Sequence, residues 1–121
     1  LPSNPQNLPL FDAKRLLPGL EKQDVSDLLD LFLRTAEQDL AALENGAARI
    51  NQGEKPFLQA LHAFKGACVT VGASRLTESA KSLECDMAEG AVIDLNARIA
   101  DIQQLLKATA YAMRLYQAEA P

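Results

Sequence analysis

Four stretches of this 121-residue chain repeat their apolar residues every three or four positions. That rhythm constrains the fold more than any other feature, because it matches one face of an α-helix and no strand. From Asp24, the residues Val25, Leu28, Leu29, Phe32, Ala36, Leu40, Leu43 and Ala47 share a face. Asp24 suits the N-cap and Asp27 the first turn, and Asn51-Gln52-Gly53 breaks the pattern. A second helix is expected from about Glu54 to Val71, with Pro56 in its first turn and Gly72 either ending or bending it. A third should run from about Ser74, a candidate cap, to Glu89, with Leu76, Ala80, Leu83 and Met87 as its stripe and Gly90 as its stop. Asp94 caps a fourth, along which Leu95, Ile99, Ile102, Leu106, Thr109, Met113 and Tyr116 keep a near-heptad spacing. Four amphipathic helices with short links predict an all-α, antiparallel four-helix bundle.

The ends of the chain differ from this core. Three of the six prolines fall in residues 1–10, which read as a linker tail. Phe11–Leu17 suits a short extra N-terminal helix, stopped by Pro18-Gly19. The bundle domain is therefore expected over residues 11–121, one domain by length, large enough to bury about two-thirds of its unfolded surface. The lack of an initiating Met suggests a piece of a longer chain.

Twelve Lys+Arg against sixteen Asp+Glu give a net charge of −4. That argues against a nucleic-acid partner, which calls for a basic patch, and against direct membrane contact. No apolar run spans a bilayer and no signal peptide is visible, so a cytoplasmic location is expected. Cys68, Cys85 and His62 are the only soft ligands. Three are too few for a structural zinc site, which takes four. Both cysteines are expected as small buried apolar side chains in a reducing compartment.

His62 stands apart. On a wheel of about 100° per residue with His62 at zero, Phe57, Ala60, Leu61, Phe64, Ala67, Cys68 and Val71 fall between roughly 140° and 260°. That stripe points into the bundle and His62 points away from it. Lys65 and Gly66 lie beside His62, one turn on. A mid-helix glycine costs about 1 kcal/mol relative to alanine. Close approach of another molecule to the imidazole would account for it, and Lys65 would set an ammonium beside a phosphoryl group. A Cys–His nucleophile pair is disfavoured, because Cys68 sits about 120° away on the buried stripe.

The run His62-Ala63-Phe64-Lys65-Gly66-Ala67-Cys68-Val69-Thr70-Val71-Gly72-Ala73, followed by Leu76 and by Leu83-Glu84, resembles the signature of histidine-containing phosphotransfer (HPt) domains. The resemblance implies a four-helix bundle with an extra N-terminal helix and a phosphohistidine intermediate in a phosphorelay. It further implies a place as the C-terminal domain of a bacterial hybrid sensor kinase, whose parent chain is in some cases anchored in the inner membrane.

By the same resemblance, His62 takes a phosphoryl group from a receiver-domain aspartyl phosphate and passes it to a response-regulator aspartate. Lys65 would stabilise the phosphoryl oxygens and Gly66 give access. Glu84 would accept the inner ring N–H and fix the tautomer, its alternative being a solvated carboxylate. Gly72 serves the turn between helices. Arg75 and Lys81 either meet acidic groups of a partner or are solvated. Leu58, Val69 and one of Leu17 and Leu20 are candidates for an apolar docking surface. No ATP loop or kinase signature is present. No cofactor is expected in this domain, and the receiver must bring the divalent cation, Mg by expectation, with its acidic cluster. The isolated domain is expected to be a monomer. Two competing readings are a non-catalytic helical interaction module and the phosphoacceptor domain of a chemotaxis-type histidine kinase. The second places such a domain first in its chain, which the linker-like start argues against.

Overall fold

A computed structural model describes residues 8–16 and 19–119. Among these residues the chain forms four α-helices and no strand: α1 Lys22–Ala48, α2 Lys55–Thr70, α3 Ser74–Ala88 and α4 Leu95–Glu119. Each helix packs on two neighbours, α1 on α2 and α4, α3 on α2 and α4, which closes a four-membered ring. Side-chain pairs fix the directions. Arg114, late in α4, reaches Asp30, early in α1, at 2.6 Å, while Gln103 reaches Glu44, late in α1, at 3.0 Å. Arg98, early in α4, pairs with Asp86, late in α3, at 2.7 Å. Sequential neighbours run antiparallel.

The apolar stripes meet on the bundle axis. Leu29, Leu43, Phe57, Leu61, Phe64, Leu76, Leu83, Ile102 and Met113 are fully buried, each worth about 1.5–3 kcal/mol of burial. Thr109, the one polar residue of the α4 stripe, is buried too. Its hydroxyl donates to the Leu105 carbonyl at 2.6 Å, which removes the cost of an unpaired polar group. Gly46, unremarked in the sequence, sets the spacing of α1 and α2. A Cβ there would stand 3.0 Å from Cα and 3.2 Å from Cβ of Phe57, a tighter contact than most packed Cβ atoms make, so α2 would have to give by a few tenths of an ångström.

Several local expectations are corrected. α1 starts at Lys22, with Glu21 at the N-cap and Asp24 inside the first turn. Lys22 and Gln23 add a polar turn that apolar spacing does not register, and Asp24 still favours the positive end of the helix dipole. Ala73, not Ser74, occupies the N-cap of α3; Ser74 donates its hydroxyl back to the Gly72 carbonyl at 3.4 Å. Asp94 does cap α4, accepting from the Ala97 amide at 3.1 Å. Cys68 is buried but Cys85 is exposed, because it lies about 200° around α3 from the buried Leu83.

The segment before α1 is a strap rather than a helix. Only Ala13–Arg15 form a 3₁₀ turn, capped by Asp12, whose side chain accepts from the Lys14 amide. Leu17 and Pro18 lie outside the described residues. Leu16 is buried in the core, and the Phe11 ring meets Tyr116 of α4 edge-on, centroids 5.3 Å apart. The Asp12 amide donates to the Gly72 carbonyl at 2.8 Å. Leu8, read as linker, accepts two hydrogen bonds from Arg75, at 3.1 Å from Nε and 2.8 Å from Nη2. Arg75 is thus spent inside the domain. Gly72 makes the crossing possible. Its φ is +71°, and a Cβ on it would collide with the Asp12 carbonyl oxygen.

Candidate functional site

Because Phe57, Leu61, Phe64 and Cys68 turn inward, the opposite face of α2 is left to solvent, and His62 stands in the middle of it with 76% of its side chain exposed. Gly66 lies one turn on. A Cβ built there meets no atom within 4 Å, so the absence of a side chain is not required by packing. It leaves a smooth surface beside the imidazole. The Thr70 hydroxyl donates to the Gly66 carbonyl at 3.0 Å, a back-bond within the same helix.

α3 runs alongside and brings Glu84 to the other flank of the ring. Nδ1 of His62 is 3.3 Å from Oε2 of Glu84, and Nζ of Lys65 is 2.5 Å from Oε1. Burial by itself would raise the Glu84 carboxyl, but hydrogen bonds from Lys65 and then His62 outweigh it, and the net shift is downward. Glu84 is therefore an ionised carboxylate at neutral pH, and a carboxylate only accepts. The proton of neutral His62 belongs on Nδ1, and Nε2 is left with a free lone pair. The four residues singled out in the sequence, His62, Lys65, Gly66 and Glu84, thus stand together. The Lys65–Glu84 ion pair was not legible beforehand, since spacing along one helix carries no register against the next.

Around the ring lie residues named above as docking candidates. Val69 is exposed and Leu58 half-buried, and Leu58, Gln59, His62 and Ala63 border a shallow apolar depression. Leu20 is exposed; Leu17 lies outside the described residues. Burial and then the charge of Asp39 push the Cys68 thiol up to about 12, which removes it as a nucleophile. Among the described residues no cluster of His, Cys, Asp and Glu is arranged to hold a metal ion, and no helix is long and apolar enough to cross a membrane.

A family model, the Hpt domain, matches residues 27–112 and so takes in most of the chain and the whole of this site. The chain belongs to the Hpt domain family, whose members carry phosphoryl groups on histidine in two-component phosphorelays and interact with receiver domains of response regulators. No significant match was found among curated proteins or among solved structures.

Proposed function

We propose that His62 is the phosphoacceptor and that this domain shuttles phosphoryl groups between receiver-domain aspartates. The observation that carries the reading is the pairing of Nδ1 with an ionised Glu84 beneath an exposed, unobstructed ring. Nε2 attacks the phosphorus of an aspartyl phosphate. The N–P bond forms as the P–O bond to the aspartate breaks, and the aspartate leaves as a carboxylate. The ring gains positive charge as its lone pair is used, and Glu84, already accepting from Nδ1–H, stabilises that charge. Lys65 is near enough to move from Glu84 to the phosphoryl oxygens. Gly66 lets the partner approach. The receiver supplies the divalent cation and the acidic residues around it, and no cofactor is needed in this chain. In this reading the domain acts in the cytoplasm as one station of a hybrid sensor kinase relay.

The test is incubation with isolated receiver domains charged by acetyl phosphate. Label should appear on the chain and be acid-labile and base-stable, the signature of phosphohistidine. Failure to take label from any receiver in a broad panel would remove the proposal.

A further inference from the structure

The strap carries two exposed cations, Lys14 and Arg15, and neither forms an ion pair with any described residue. Their position is imposed by the lock beneath them. The Asp12 amide is bonded to the Gly72 carbonyl, Arg75 holds Leu8, and Leu16 is anchored in the core. The strap thereby sets Arg15 against the C-terminal end of α2, where Arg15, Val69, Thr77 and Glu78 border one shallow depression. Val69 is seven residues beyond His62, which puts it about 20° around the helix and about 10 Å along it. The exposed face that starts at His62 therefore runs through Gly66 and Val69 to Arg15.

The charges along this face are uneven in their availability. Lys65 is neutralised by Glu84 at rest. Arg75, one of the two cations named in the sequence for a partner, holds the strap. Glu78 shares the depression with Arg15 but makes no ion pair with it. Lys14 and Arg15, with the exposed Lys81 of α3 and Lys55 at the start of α2, are left as outward positive charge on the His62 side of a chain whose net charge is −4. A receiver that delivers a phosphoryl group must hold a divalent cation with carboxylates, so the rim of its site is acidic.

Building on the phosphotransfer reading, we propose that the strap is a second docking element, in which Arg15, supported by Lys14, engages the acidic rim of the receiver domain while His62 meets the aspartyl phosphate. A charge at the rim of an interface acts on encounter and on salt dependence more than on the step that follows.

The experiment uses the whole chain and an acetyl-phosphate-charged receiver domain that labels the wild type. Single-turnover transfer is followed against receiver concentration at low and high salt. Arg15→Glu should raise the half-saturating receiver concentration on the order of tenfold at low salt, leave the saturating rate unchanged and flatten the salt dependence. Arg15→Lys should behave as wild type, as should Lys107→Glu on the far α1–α4 face. An unchanged half-saturating concentration in Arg15→Glu overturns the proposal. So does a fall in the saturating rate alone, which assigns Arg15 to folding or chemistry. If no receiver labels the wild type, the phosphotransfer reading itself fails, a result distinct from both.

Discussion

Glu84 divides its carboxylate between two residues of the neighbouring helix, Oε2 facing Nδ1 of His62 at 3.3 Å and Oε1 facing Nζ of Lys65 at 2.5 Å. One anion thereby sets the tautomer of the acceptor ring and restrains the cation beside it. Glu84→Gln should disturb both, because an amide presents either an acceptor or a donor to Nδ1 and no charge to Lys65. Nitrogen-15 spectra should show a smaller share of the Nδ1–H tautomer than in the wild type. Transfer should slow by roughly two- to tenfold, the worth of a part-exposed hydrogen bond of about 0.5–1.5 kcal/mol. The same pair has a pH signature. The Glu84 carboxyl is lowered in the folded state, so its contribution to stability is present above the unfolded value of about 4.3 and is lost as pH falls through the folded one. The stability difference between wild type and Glu84→Gln should shrink between about pH 5 and pH 3. A difference that stays flat across that window would show that the ion pair contributes nothing to the fold.

His62 is far more exposed than Lys65 or Glu84, and its removal should separate function from folding. His62→Gln should abolish labelling by a phosphorylated receiver. Its stability should stay within about 0.5 kcal/mol of wild type, as for other surface changes. Label retained on the variant would mean that the phosphoryl group resides on another residue.

Gly66 offers the reverse separation. With no atom within 4 Å of an added Cβ, Gly66→Ala should stabilise the domain by up to about 1 kcal/mol, the gap in helix propensity. Gly66→Gln should fold as well as wild type yet transfer much more slowly, because its side chain would lie beside Nε2. Wild-type transfer rates in Gly66→Gln would show that the receiver does not approach across this position.

The helices were legible because their stability rests on apolar periodicity, which is local in sequence. The exposure of His62 followed from the same wheel that buries Phe57, Leu61 and Phe64. What escaped depends on contacts between segments far apart in the chain. Gly46 reads as an ordinary helix interior until Phe57 is seen against it. The strap resembled a linker followed by a short helix, because only the folded bundle supplies Gly72 and Arg75 as its partners. Glu84 carried two readings for the same reason, since the register of α3 on α2 is a tertiary property.

The two cysteines were expected to behave alike and should not. Cys85 is exposed, while Cys68 is buried with its thiol pushed up to about 12. Iodoacetamide at pH 8 should modify Cys85 in the native protein and leave Cys68 untouched until denaturant is added. Thiolate is the reactive form, and Cys68 reaches it only on unfolding. Equal modification of both in native buffer would contradict the packing of α2 against the core.

Gly72 and Gly90 make a matched pair that isolates the strap. Both hold a positive φ, +71° and +70°. An alanine at either should therefore cost about 1–2 kcal/mol of left-handed backbone strain. Only at Gly72 would the new methyl meet another segment, the Asp12 carbonyl. Relieving that collision means lifting the strap, with loss of the Asp12–Gly72 hydrogen bond, about 1 kcal/mol, and of part of the Leu16 burial, up to about 2 kcal/mol more. Urea unfolding should accordingly find Gly72→Ala less stable than Gly90→Ala by about 1–3 kcal/mol. Equal destabilisation in the two variants would mean that the strap adds nothing to stability at the α2–α3 turn and that the position of Arg15 is not fixed by Gly72.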